Sequence, residues 1–315
     1  MSNKLYEWLN RTTEEALEPD LPICDPHHHL WDYPQSRYMI HEILYDISGG
    51  HNIRSTVFIE CRSMHRATGP EAMKPVGETE FIQGIAAMSA SGQYGETRVA
   101  AGIVGHADLC LGESVSSVLE AHLIAGANRF RGIRHANAWD PDERIRGAHV
   151  SAKGGMLLDS KFREGFAKLN QYDLSFDAWL YHPQIPELKQ LARKFPDTKI
   201  ILDHVGGPVG LGPYAGRRDE IFSLWKKEIN ELATCPNVMV KLGGLAMPIN
   251  GFAWHKREKP PDSEELAEVQ QPYYLYCLEK FGVARCMFES NFPVDRVSCS
   301  YTVLWNTFKR IPRKY

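Results

Sequence analysis

The sequence predicts a (β/α)8 barrel, and three observations point to it. Short apolar, β-branched segments alternate with stretches of helical hydrophobic spacing along nearly all 315 residues, as βα units of a parallel sheet do. There are eight such apolar segments, the number that closes a barrel. Polar and ionisable residues stand at the ends of these segments, where a barrel builds its site, and each must be hydrogen-bonded or hydrated there.

In chain order, residues 1–20 form a polar, acidic extension, and the barrel is expected to occupy 21–315 as a single domain. The first strand, 23–25, leads into Asp25-Pro26-His27-His28-His29-Leu30-Trp31-Asp32. Alternation along a strand sends His27 and His29 to one face and His28 to the other. Further strands are expected at 55–60, 98–104, 130–134, 174–177, 199–203, 238–242 and 285–289. Ile185, Leu188, Leu191 and Phe195 form one helical stripe, and Ile221, Leu224, Trp225, Ile229 and Leu232 another; both are read as core. Residues 206–212 are glycine-rich and follow a strand, but they lack the strand-to-helix pattern that cradles a nucleotide phosphate. Two segments look inserted, 138–155 and 246–261. The second, carrying Phe252, Trp254, His255, Lys256, Arg257 and Lys259, reads equally as a lid or as a solvated basic loop.

Composition narrows the function classes. A net charge of -3 gives no electrostatic footprint for nucleic acid. No apolar run reaches membrane-spanning length, and the first twenty residues lack the pattern of a secretory signal. The 7 cysteines are scattered and odd in number, which fits a reducing, cytoplasmic setting better than a disulfide framework.

The candidate site collects at strand ends: His27 and His29, Glu60, His106, Arg131 and Arg134, Asp177 and His182, Asp203 and His204, Lys241, and Glu289 with Asn291. His204 ends an apolar run and suits a ligand or an acid-base group. Arg131 and Arg134 flank Gly132-Ile133 and cannot point the same way, so one is expected to clamp a carboxylate or carbonyl and the other to be structural. For His106 and His182, structural and functional readings weigh equally. Lys241 either charges the site or pairs with Glu60 or Glu289. His41, His51, His65, His122 and His149 read as surface or loop residues.

Five motifs in order give the chain a resemblance to the amidohydrolase-2 group of the amidohydrolase superfamily, particularly its lactonase-like branch. They are the histidine run above, Phe130-Arg131-Gly132-Ile133-Arg134, Leu202-Asp203-His204-Val205-Gly206-Gly207-Pro208, Val240-Lys241-Leu242-Gly243-Gly244-Leu245, and Phe288-Glu289-Ser290-Asn291-Phe292-Pro293-Val294. The resemblance implies a distorted (β/α)8 TIM barrel that hydrolyses lactones of sugar acids or of aromatic-degradation intermediates. It implies a divalent metal, zinc or manganese, on His27, His29 and His204, although some lactonase relatives work without one. Asn291 stands where relatives carry an aspartate, and an amide cannot take a proton, so Glu289, Asp295 or Glu60 is expected to serve as base, with His204 assisting. Glu60, His106, Arg131, Arg134, His182, Lys241 and Trp254 are the expected substrate contacts. The substrate is expected to be a small molecule bearing a carboxylate. The last helix, near 300–310, is expected to be abbreviated, with the uncovered barrel wall either covered by a homo-oligomeric partner or marking a shortened form with impaired stability or activity. A metal-dependent nonoxidative decarboxylase is the alternative reading, and a noncatalytic ligand-binding barrel is a third.

Overall fold

In the computed structural model, which describes residues 3–146 and 152–311, eight parallel strands pair with their neighbours in chain order. They are β1 (Ile23–His28), β2 (Ile53–Ile59), β3 (Arg98–Gly105), β4 (Phe130–Arg134), β5 (Ser175–Ala178), β6 (Ile200–Leu202), β7 (Val238–Leu242) and β8 (Cys286–Phe288). The predicted barrel is therefore present. Its seam closes just past the end of β8: His29 N donates to Phe292 O (2.7 Å) and Asn291 N donates to His27 O (2.9 Å). Asp25, fully buried, ties the same seam by accepting from Ser290 N (3.0 Å) and from the Tyr301 hydroxyl (2.9 Å). This closure sets the histidine run beside Glu289 and Asn291.

The outer layer consists of α1 (Ile40–Ile47), α2 (Val76–Ala90), α3 (Ser116–Gly126), α4 (Ser160–Gln171), α5 (Ile185–Lys194), α6 (Arg218–Ala233), α7 (Ser263–Phe281) and α8 (Tyr301–Arg310). On α5, Ile185, Leu188 and Leu191 are wholly buried, each worth about 1.5–3 kcal/mol of transfer free energy. On α6, Ile221, Trp225, Ile229 and Leu232 form the buried stripe, but Leu224 is 53% exposed. At about 100° per residue it falls well off the axis those four share.

The described part of the N-terminal extension, residues 3–20, is fastened to the barrel. A short helix, Asn3–Leu9, leads into residues whose side chains hold the 246–261 segment: Trp8 donates to Arg257 O (2.9 Å), Arg11 to Glu258 O (3.0 Å) and Thr12 to Pro260 O (2.8 Å). Glu14 accepts from Ser263 and Asn306, at the start of α7 and within α8. Lys309 donates to Leu17 O, Glu18 O and His51 Nδ1. The 246–261 segment is thus pinned, unlike the solvated loop considered from sequence.

Two of the histidines expected at the surface are buried. His51 joins the α8 contacts just described, and His122 faces inward from α3, accepting from Thr79 and donating to His106 O. His149 and part of the 138–155 segment lie outside the described residues. All seven cysteines are free thiols. No described helix is long and apolar enough to cross a membrane.

Candidate active site

The site begins with the alternation of β1. His28 points outward to Thr56 Oγ1 (2.8 Å), and burial pushes its pKa down to about 3. His27 and His29 point inward, with their Nε2 atoms 3.2 Å apart. His29 Nδ1 lies 2.8 Å from the Ile59 carbonyl, which can only accept, so its Nε2 carries a lone pair. His27 Nδ1 lies 2.7 Å from Glu289 Oε2 and 3.2 Å from Lys241 Nζ, while Arg134 NH1 stands 3.4 Å from its Nε2.

Across the barrel, His204 follows β6 in the left-handed conformation (φ 54°, ψ 42°), unusual for any residue but glycine. Glu289, wholly buried after β8, holds it there: Oε1 accepts from His204 N (3.0 Å) and from His204 Nδ1 (2.7 Å). Burial alone would raise the Glu289 pKa, but the His204 and His27 imidazoles overrule it and hold the carboxyl below its usual range. The other His204 nitrogen, Nε2, is left for the cavity that His204 lines.

Beneath this pair lies a charged floor. Lys241 Nζ stands 2.5 Å from Asp177 Oδ2, 3.0 Å from Asp203 Oδ1 and 3.2 Å from His27 Nδ1. Lys241 therefore pairs with aspartates on the strand-end positions of β5 and β6, not with Glu60 or Glu289 as considered from sequence. Burial pushes Asp177 up to about 6. Burial would raise Asp203 as well, but Lys241 and His27 hold it well below the ordinary range. Arg134 Nε donates to Glu60 Oε1 (2.8 Å), and NH1 reaches within 3.5 Å of Asp203 Oδ2. Its guanidinium is buried against three carboxylates' worth of field and stays charged, Glu60 being the largest of the influences that offset its burial.

Above the floor opens a cavity of about 250 Å³. His29, Glu60, Arg134, His204 and Asn291 supply its polar wall, with Trp31, Trp179 and Met247 as the apolar one; His106 sits at its side, its Nδ1 donating to Arg134 O (3.1 Å). Several expected contacts are not brought to it. Arg131 is exposed on the outer face of β4 and donates to Phe130 O, as the alternation rule required of one arginine of the pair. His182 is buried elsewhere, accepting from Val209 N and packing edge-on against Tyr214. Trp254 is buried in the core, stacked on Phe252. Asp295 is wholly buried and does not line the cavity; burial, with the Glu289 charge second, raises its pKa well above the usual value.

The sequence reading named Asp177 and Asp203 as strand ends without assigning them a role, and passed over Trp31 and Trp179. The available signal for Asp203 was its place directly before His204 at the end of an apolar strand.

The donor set suits a divalent metal. One atom each of His27, His204 and Glu289 lie within 4.8 Å of one another, and imidazole nitrogen with carboxylate oxygen is a zinc-type combination. The 3.2 Å separation of the His27 and His29 Nε2 atoms is also one that two nitrogens bound to one zinc at about 2.0–2.1 Å would show. Four buried carboxylates, Glu60, Asp177, Asp203 and Glu289, gather around Lys241 and Arg134, a setting in which bound positive charge is electrostatically favoured.

Comparison with known proteins agrees with this architecture. The family model described as amidohydrolase matches residues 24–314. A Sinorhizobium fredii protein designated y4mH is 33% identical over 93% of this chain and 92% of its own length. An L-fucono-1,5-lactonase of Burkholderia multivorans is 24% identical over 88% of this chain and 84% of its own. Among solved structures, an amidohydrolase from Burkholderia multivorans with bound zinc superposes with a TM-score of 0.67 at 22% identity, covering 93% of this chain and 92% of that one.

Proposed function

We propose that this chain, which belongs to the amidohydrolase family, is a hydrolase that opens the lactone of a sugar acid by adding water to the ring carbonyl. The observation that carries the reading is the buried Glu289–His204 pair, whose imidazole lines the cavity with Nδ1 held by the carboxylate. The similarity to a curated sugar-acid lactonase over most of both chains supports the choice of substrate class.

In this mechanism His204 Nε2 takes a proton from water as the oxygen attacks the carbonyl carbon, and the ionised Glu289 stabilises the imidazolium that results. Negative charge developing on the carbonyl oxygen is met by the Arg134 guanidinium, which Glu60 and Asp203 fix in place and which has no need to reorganise. The imidazolium then returns its proton to the departing ring oxygen, so that the product is the open hydroxy acid. Trp31 and Trp179 offer flat apolar faces suited to the C–H face of a sugar ring, while Glu60 and Asn291 offer polar partners for its hydroxyls. His27 and His29, whose Nε2 atoms lie 3.2 Å apart, would hold a divalent ion, leaving His204 Nε2 for the proton. Such an ion supplies Lewis acidity at the carbonyl and a more acidic water when it is bound. Asn291 cannot act as base; two residues upstream, Glu289 provides the carboxylate through His204.

The test is proton release on adding a panel of sugar-acid and aromatic-degradation lactones to metal-analysed protein, with the metal content varied. Cleavage of sugar-acid lactones supports the proposal. Inertness of the folded, metal-replete protein across the panel would overturn it.

A further inference from the structure

Beside the reaction cavity, and separate from the residues that serve it, Asp108, Cys110 and His135 converge. Asp108 follows β3 and opens the short helical turn Leu109–Val115, its Oδ1 accepting from Cys110 N (2.9 Å). His135 is the first residue past β4, with Nδ1 3.9 Å from Asp108 Oδ1. One donor atom from each of the three lies within 4.8 Å of the others. His135 is buried and packs edge-on against His106, while Asp108 is half exposed and Cys110 is intermediate. All three line a second cavity of about 490 Å³, which shares Arg62 and His106 with the reaction cavity.

We infer that Asp108, Cys110 and His135 form a second metal site, for a divalent transition-metal ion of the zinc class, cross-linking the turns after β3 and β4. The donor chemistry selects the ion: a thiolate with an imidazole favours borderline-soft metals over calcium or magnesium, which prefer all-oxygen sets. The carboxylate is already oriented by the Cys110 amide. The imidazole is anchored by burial, and its Nδ1 receives a long hydrogen bond from Leu109 N (3.3 Å). The adjoining cavity leaves room for a water to complete the coordination. Binding requires the thiolate, so each ion bound releases the Cys110 proton to solvent.

The site differs from the His27–His204–Glu289 group in containing sulfur, and that difference makes it testable whatever the enzyme's substrate proves to be. Cobalt(II) is titrated into the metal-stripped full-length chain while near-ultraviolet absorption is followed. A sulfur-to-cobalt charge-transfer band is expected, of equal intensity in His27→Ala and in Cys61→Ser, and lost in Cys110→Ser and His135→Ala. Asp108→Asn, which keeps the acceptor for Cys110 N, is expected to weaken cobalt binding by at least tenfold while retaining the fold, as judged by circular dichroism. Absence of the band at saturating cobalt in the folded wild-type protein would overturn the inference, as would a band that survives Cys110→Ser.

Discussion

A single oxygen of Glu289, Oε1, accepts two hydrogen bonds from one residue, His204: 3.0 Å from the backbone nitrogen and 2.7 Å from ring Nδ1. Main chain and imidazole are thereby fixed together. A residue in the left-handed region carries strain on the order of 1–3 kcal/mol, so it persists only where its surroundings over-determine it. The second Glu289 oxygen reaches His27, which links the two histidine positions across the barrel through one carboxylate.

Replacing that carboxylate isolates its charge. Glu289→Gln keeps an acceptor for His204 N but cannot stabilise an imidazolium, and is expected to lower kcat on the order of 10²–10⁴-fold. KM should move far less than kcat. Steady-state kinetics on whichever lactone the wild-type protein cleaves will measure the split.

Gly244 forms the other side of the His204 clamp. A Cβ there would lie 2.5 Å from His204 Cβ and 2.5 Å from Cγ, and the glycine itself has φ +69°. Gly244→Ala should therefore cost about 1–3 kcal/mol from overpacking and should displace the imidazole, lowering kcat as well. Urea unfolding paired with kinetics checks both effects.

Removing the Arg134 guanidinium takes a buried charge partner from both Glu60 and Asp203. Arg134→Met is expected to destabilise the fold by about 3–5 kcal/mol, since two buried carboxylates lose the guanidinium between them. Chemical denaturation that shows no loss would mean that both carboxylates are readily solvated.

Glu78 offers a pH test away from the histidines. Its Oε1 accepts from Cys61 N (3.0 Å) and Ser63 N (2.7 Å), while burial, with the nearby Glu60 charge second, raises its pKa from 4.5 to about 8. The folded protein therefore binds a proton that the unfolded chain has released between those values. Its contribution is fully present below about 4.5 and is lost as pH rises through about 8. Glu78→Gln mimics the protonated group, so the variant should lose less stability than wild type as pH is raised across that window. Unfolding curves at a series of pH values will show whether the two diverge.

Much of the architecture was legible because it is local. The bounds of β4 and β7 are those expected from their apolar runs, and the inward convergence of His27 and His29 follows from period-two alternation. β1 runs to His28, three residues past the expected end, because polar side chains aimed into a site do not look like strand in sequence. Partners across the barrel were hidden. That Lys241 meets Asp177 and Asp203 depends on the register of β5, β6 and β7, and the Glu289–His204 bond depends on how the last strand meets the first. Trp254 and His122 were misplaced for a related reason: a loop tryptophan and a helix histidine show their burial only when the covering segments are folded over them.

The most direct test of the central claim is product analysis after turnover of a sugar-acid lactone in heavy-oxygen water. Water attack at the carbonyl, with His204 as base, predicts the ring-opened hydroxy acid carrying one heavy oxygen in its carboxylate, and loss of that product in Glu289→Gln. Release of carbon dioxide without the hydroxy acid, or undiminished turnover in Glu289→Gln, would contradict it.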